Sequence, residues 1–341
     1  MRHSRVQRRE GEGRANIREI ARRAGCSAST VSRVLSHQGQ SGAVKISEET
    51  SRRILAVCAE LDYTPSIHAS RLFSHRSKVI GFLPPRSLPW DDVNLSRSLA
   101  GACRRLSTDG YRCLPLQNDE EFLRQKGHLQ IFRRNEVDGL VIWGEVDDAP
   151  YLHELAEAGM PFMLVGNRIA EFPSVVSDQR SAVRQLVCHC QQKGARKLVY
   201  LDLTGGDTCE QRRRGFLDCA GPEGTILPGG LGVQDGYRAA ATALSLRPDA
   251  IIAGNDKLAV GVERFCGEQG IRIPGDLLLT GGDNIELSEY CAIPLTTFDQ
   301  RAADCAGRSV EILMAHLDQR QPLHPEVLTA RVLFRQSTGN R

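Results

Sequence analysis

The stretch Asn16–Leu35, NIREIARRAGCSASTVSRVL, sets two short helical patterns around one glycine. Asn16 followed by Glu19 has the spacing of a capping box. Ile17, Ile20, Ala21 and Ala24 recur at helical intervals until Gly25 stops the run. The spacing predicts a helix over Ile17–Ala24. After Gly25-Cys26, Ser27 caps a second helix in which Val31, Val34 and Leu35 face inward. Two helices this close in sequence form a tight corner. A third helix follows Ser47, with Ile54, Val57, Cys58 and Leu61 as its stripe, long enough to cover that corner. The expected unit is a helix-turn-helix with a supporting helix.

The second helix opens with almost nothing large. Its outward positions are expected to be Ala28, Ser29, Ser32 and Arg33, a face suited to close approach to a groove floor. Ser29, Thr30 and Ser32 have hydroxyls for phosphates, and Arg33 has reach for a guanine edge or a phosphate. Such corners also occur in proteins that never touch DNA. Two features favour DNA here: no large acidic residue lies on that face, and charge is divided along the chain. Residues 1–80 hold fifteen Lys+Arg against seven Asp+Glu, a net of +8, whereas the remainder holds 29 against 34, a net of −5. A basic head on a mildly acidic body suggests a nucleic-acid-binding domain joined to another kind of domain.

At 341 residues the chain has length for two or three domains. No run of eighteen apolar residues exists, and the N-terminus lacks the apolar core of a signal peptide, so a cytoplasmic protein without a membrane segment is expected. The eleven cysteines are scattered, with no C-x-x-C pair, and Cys58, Cys103 and Cys266 sit in apolar patterns. They are expected as buried thiols rather than staples.

After Tyr63-Thr64-Pro65 comes SIHASRLFS (66–74), too short for a helix stable by itself. Together, NIREIARRAGCSASTVSRVL and KISEETSRRILAVCAELDYTPSIHASRL (45–72) resemble the headpiece and hinge of the LacI/GalR family of bacterial repressors. The resemblance implies that two subunits pair their hinge helices in the minor groove of an operator. It places the wedging leucine at Leu72 and the close helix contact at Ala69. It implies DNA contacts from Asn16, Ser27, Ala28, Ser29, Thr30, Ser32 and Arg33. The expected division is a basic disordered tail at 1–14, the headpiece at 15–64, the hinge helix and linker at 65–77, and a body at 78–341.

In the body, strand patterns alternate with helical ones: SKVIGFLPP, DGYRCLPLQ, VDGLVIWGE, MPFMLVGNR, ARKLVYLDL, PDAIIAGND and DLLLTGGDN. Buried parallel strands between amphipathic helices predict a doubly wound α/β fold. The family resemblance, which extends over essentially the whole chain, adds that this body has two lobes, like a periplasmic sugar-binding protein, with an effector cleft between them. Ligands in such folds lie beyond the carboxyl ends of the strands. The resemblance brings Asn167, Arg168, Arg212, Asn255, Asp256 and Asp283 to that cleft, where amide, carboxylate and guanidinium groups suit vicinal hydroxyls. Three departures from the family pattern stand out: Asn167-Arg168 where Asp-Arg is usual, Ala195 in place of a histidine, and Gly282 in place of a larger residue. Trp90 and Trp143 are candidates for a sugar face or for the core.

Other chemistry fits poorly. In Cys188-His189-Cys190, helical neighbours point apart and no second cluster matches them, so no metal site is expected. Gly230-Leu231-Gly232 lacks the third glycine of a dinucleotide loop, and no nucleophile motif is present, so neither a cofactor nor an enzyme is expected. The sequence therefore points to a homodimeric, effector-controlled transcriptional regulator, expected to be a repressor acting on a near-palindromic double-stranded DNA operator. Its effector is expected to be a sugar or sugar derivative, with a nucleobase or phosphorylated co-repressor as the alternative. A sugar-binding protein or α/β enzyme without DNA is the remaining class. The chain shows no apolar heptads after TARVLFRQST, which favours a dimer over a tetramer.

Overall fold

The computed structural model describes residues 16–35, 46–63, 76–85, 92–144, 149–169, 171–221 and 224–339. The chain divides into two compact units, Met1–Ser77 and Lys78–Arg341. Ala69, Leu72, Trp90 and the basic tail lie outside the described residues.

In the first unit, α1 (Ile17–Ala24), α2 (Ala28–Leu35) and α3 (Glu48–Glu60) close around Ile20, Ala24, Val31 and Ile54. Half of the anticipated capping box forms. Asn16 Oδ1 accepts from the N–H groups of Arg18 (3.0 Å) and Glu19 (3.1 Å). The Glu19 carboxylate does not return the bond; it turns to Arg22 and Arg23, whose hydrogen bonds lower its pKa to about 2. Gly25 ends α1 in the left-handed region, φ 60°, where a side chain would be strained. Ser27 Oγ then accepts from Thr30 N–H at 3.1 Å and starts α2. Ser47 does the same for α3 through Thr50 N–H, 3.2 Å.

One orientation differs from the sequence expectation. Ser32 is buried, not outward, and Ala28 packs partly on the core. Positions 28, 31, 32 and 35 share a stripe on a 3.6-residue helix, and α1 and α3 cover it. The exposed face of α2 is Ser29 with Arg33 one turn on, flanked by Ser27.

The second unit holds two parallel sheets. The first has six strands in the order β11 (Glu326–Leu328), β5 (Ser174–Ser177), β4 (Phe162–Val165), β3 (Gly139–Trp143), β1 (Val79–Leu83), β2 (Arg112–Pro115). The second has four: β7 (Thr225–Pro228), β6 (Leu198–Asp202), β8 (Ala250–Ala253), β9 (Leu278–Thr280). β10 (Thr297–Asp299) and β12 (Arg331–Leu333) form an antiparallel pair. The central strands VIGFL, GLVIW and FMLV are buried at every position, as strands covered on both faces must be.

Each sheet is sandwiched by helices. α4 (Val93–Thr108) packs on α13 (Ala302–Gln319), α8 (Gln179–Gln192) on α9 (Gly206–Ala220), and α10 (Val233–Ser245) on α11 (Asp256–Glu268). Shorter helices α5 (Glu120–Arg124), α6 (Gly127–Arg133), α7 (Pro150–Glu157) and α12 (Leu287–Tyr290) fill the connections. All three helix pairs approach backbone to backbone at glycines, Gly236 and Gly261 serving α10 and α11. A Cβ on Gly101 would sit 2.1 Å from the Ala303 carbonyl oxygen, and one on Gly215 would sit 2.4 Å from that of Arg180. The chain passes between lobes at 177–179, 299–302 and 328–331, so each lobe is built from early and late segments.

The seven quoted strand patterns correspond to β1, β2, β3, β4, β6, β8 and β9, while β5, β7 and β11 carry no comparable signal. Each is three or four residues long, with at most two strong strand formers (SVVS, TILP, EVL). Cys103 is another correction: it is exposed, because α4 turns Ala102 and Leu106 to the core and Cys103 away from it.

Candidate functional site

A cavity of about 640 Å³ opens between the lobes of the second unit. It lies beyond the carboxyl ends of β3, β4, β6, β8 and β9, where a doubly wound fold leaves its crevice. Asn167, Arg212, Asn255, Asp256 and Asp283 all line it. Arg168 does not. It is exposed and lines a separate concavity of about 250 Å³ beyond Gly166 and Thr208.

Arg212 is the centre of the site. Its side chain is buried, on α9. Nε donates to Gln179 Oε1, Nη1 to the Gly254 carbonyl and Nη2 to Asp283 Oδ1, each at 2.5 Å. Gln179 Nε2 donates to Gln300 Oε1 (3.0 Å), and Gln300 Nε2 to Asp283 Oδ1 (2.9 Å). Arg212, Gln179, Gln300 and Asp283 thus form a closed ring. Burial opposes the arginine charge, but the Asp283 carboxylate together with Tyr200 and Cys209 outweighs it and the pKa is raised. Phe298 lies under the guanidinium, 4.9 Å from ring centroid to Cζ. Gln179 and Gln300 sit where the chain crosses between lobes, so the ring joins the cavity wall to two of those crossings.

Asn255 and Asp256 have local duties. Asn255 Oδ1 caps α11 through Leu258 N–H (2.8 Å), and its Nδ2 donates to the Leu231 carbonyl (3.0 Å). Asp256 is fully buried; it accepts from Thr297 Oγ1 (2.5 Å) and Ile285 N–H (2.9 Å). Burial, aided by the nearby Asp283, raises its pKa to about 7. Asp256 therefore holds the 281–285 loop that presents Asp283.

Asn167 bridges the lobes. Its Oδ1 accepts from Thr208 N–H (3.0 Å) and its Nδ2 donates to the Gly144 carbonyl (3.3 Å). Arg97 on α4 makes a second bridge, donating to the carbonyls of Asp283 (2.8 Å) and Asn284 (2.7 Å). Both acceptor residues have positive φ, 97° and 47°.

Sequence inspection did not single out Asn94, Thr208, Cys209, Gln179 or Gln300. Asn94 lines the cavity with a buried Oδ1 that has no hydrogen-bond partner, and Cys209 lines it too, its thiol pKa raised by burial. Gln300 ends LTTFDQ, the carboxyl end of β10, and was findable by the same rule that found Asp283. Trp143 is buried and lines the cavity, so it serves core and wall together. The side chains of Cys188-His189-Cys190 part: Cys188 meets Cys219, His189 bonds Thr338 and stacks on Phe334, and Cys190 enters the core.

In the first unit, the candidate DNA residues divide. Ser27, Ser29 and Arg33 are exposed, Ala28 and Thr30 are half-buried, and Ser32 is buried. Asn16 spends Oδ1 on capping. The Ser27, Ser29 and Thr30 hydroxyls form one cluster (2.7 and 2.8 Å) at the start of α2.

Residues 16–66 match the model for bacterial regulatory proteins of the lacI family, and residues 187–338 match a periplasmic binding protein-like domain. The ribose operon repressor of Bacillus subtilis is 29% identical over 329 residues, 94% of this chain and 97% of that protein. The repressor PurR of Mannheimia succiniciproducens is 28% identical over 333 residues, covering 92% and 97%. The lac repressor dimer bound to operator and the anti-inducer ONPF shares the fold, with a TM-score of 0.79 at 23% identity over 96% of this chain and 99% of that one. A helix-turn-helix headpiece and a two-lobed sensor body in one chain, both matched in this way, make this protein a member of the lacI family of bacterial regulatory proteins, a DNA-binding transcriptional regulator.

Proposed function

We propose that this regulator is a cytoplasmic homodimeric repressor whose operator affinity is set by a sugar or sugar derivative bound between the lobes. The ring of Arg212, Gln179, Gln300 and Asp283 carries the reading. A dense array of fixed donors and acceptors suits a polyol, whose hydroxyls both donate and accept. The unpartnered Asn94 Oδ1 adds an acceptor. Trp143 is the one aromatic ring lining the cavity among the described residues, whereas a planar base is best held between two apolar faces. That observation favours a sugar over a nucleobase or phosphorylated co-repressor. Similarity to a ribose operon repressor supports the same class.

On the DNA side, Ser29 and Arg33 read the major groove from the exposed face of α2. Ala28 allows close approach, Asn16, Ser27 and Thr30 meet phosphates, and Ser32 supports the helix from within. Ala69 and Leu72 act in the hinge, the leucine as a wedge at the centre of a near-palindromic site. Effector binding alters the lobe arrangement and so the hinge, a coupling free energy between two sites.

The test is fluorescence anisotropy of the full-length protein on an operator selected from a random library, titrated with pentoses, hexoses and purines. A sugar that changes operator affinity, with Arg212→Ala binding operator but no longer responding, is the expected result. Response to a purine alone replaces the sugar reading. Arg212→Ala responding normally removes the pocket assignment.

A further inference from the structure

Cys188 on α8 and Cys219 on α9 place their sulfurs 3.0 Å apart. Both residues are partly exposed, and neither takes part in the effector cavity. We propose that this pair is a reversible oxidation site for small aliphatic disulfides, closing into a protein disulfide that staples α8 to α9.

Geometry is the main support. The helices are fixed against each other independently of the thiols. Gly215 lies against the Arg180 backbone, Arg180 grips both carboxylate oxygens of Asp218 (2.7 and 2.8 Å), and Gln191 Nε2 donates to the Cys219 carbonyl (3.0 Å). A bond of about 2.05 Å requires the sulfurs to close by roughly 1 Å, a movement within reach of side-chain rotation. The backbone need not move. Either thiolate can attack first and leave the other to resolve, and the steps are the same with the two exchanged.

The chemistry balances in two exchanges. The Cys188 thiolate attacks one sulfur of the small disulfide, forming a mixed disulfide and expelling one small thiolate. The Cys219 thiolate then attacks the Cys188 sulfur, forming the protein disulfide and expelling the second small thiolate. Two protein thiols are oxidised and one small disulfide is reduced to two thiols. Burial and proton sharing with Cys219 push the Cys188 thiol up to about 11. Only a small thiolate fraction exists at neutral pH, so closure is slow and reports sustained oxidation rather than a pulse.

The cross-link joins residues 31 apart, a loop long enough to restrict the unfolded chain. Because Gly215 and Arg180 already lock the other end of the helix pair, closure stabilises the lobe and leaves the Arg212 ring in place. The site is a staple, not a second effector switch.

The test incubates the folded full-length protein with excess glutathione disulfide at pH 8.5, alkylates the remaining thiols after unfolding, and maps the peptides by mass spectrometry. Expected are a peptide link between Cys188 and Cys219 that dithiothreitol removes, a rise of several degrees in the melting temperature of the body, and effector affinity changed less than twofold. Cys188→Ser folds by circular dichroism and shows neither link nor temperature rise. Full alkylation of both cysteines, a link from Cys219 to Cys190, or stable separate glutathione adducts on Cys188 and Cys219 each overturns the proposal.

Discussion

Asp256 shows how one side chain carries structure and pH sensitivity together. Its pKa of about 7 lies above the ordinary carboxylate value near 4, so between these values the folded protein holds a proton that the unfolded chain has released. Unfolding free energy therefore falls as pH rises from about 4 to about 7, and this contribution levels off above the folded pKa. Asp256→Asn keeps an acceptor for Ile285 N–H and removes the titration. In urea denaturation across that range, the variant is expected to lose a downward slope amounting to at most about 4 kcal/mol in the wild type. Equal slopes in the two proteins count against burial as the cause of the shift. At this scale the sequence was readable where a residue type has few uses. Arg212 and Asp283 lie together as the resemblance implied, whereas Arg168, next to Asn167 in the chain, turns to another concavity. Neighbours in sequence diverge on leaving a strand, and no pattern records which of them turns inward.

At the scale of elements, helix pairs meet through single missing side chains. Gly101→Val forces α4 from Ala303 of α13, and is expected to lower body stability by about 3 kcal/mol or more. Gly267, near the end of α11, has no neighbour within 4 Å and an ordinary φ, so Gly267→Ala is expected to be neutral or stabilising by up to about 1 kcal/mol. Thermal unfolding of the pair separates the roles: equal effects would mean that close approach is not what Gly101 supplies. The bounds of α1 were legible to the residue because Asn16 is a strong start signal and Gly25 a strong stop signal. The central strands were legible from their unbroken apolar runs. β5, β7 and β11 were not, since SVVS, TILP and EVL give no run of three apolar residues, whereas the edge strands β2 and β9 were read. Ser32 escaped because a serine on a core stripe looks like any exposed serine.

For the whole molecule, the lobes are held by few polar bridges. Arg97 contributes two hydrogen bonds from a charged donor to the 283–284 backbone. Arg97→Met removes both while keeping the length of the side chain. Effector affinity is expected to fall about tenfold or more, by calorimetric titration, because binding must then close the lobes without that help. Unchanged affinity would show that Arg97 is incidental to closure. Neither Arg97 bond was visible in the sequence, since they join residues 186 and 187 positions apart.

The three crossings between lobes also shape how the protein comes into being. The headpiece core is complete within residues 17–63, whereas β11 and β12, needed by the first sheet and by the β10 ladder, arrive only at residues 326–333. During synthesis the DNA-reading part is able to fold long before either lobe of the sensor is finished, and long-range strand pairing is slow even when the chain is whole. A stop codon or frameshift late in the gene therefore removes the sensor and spares the reader. Genetic damage falls unequally on the two halves of the regulator, and the half that listens is lost first.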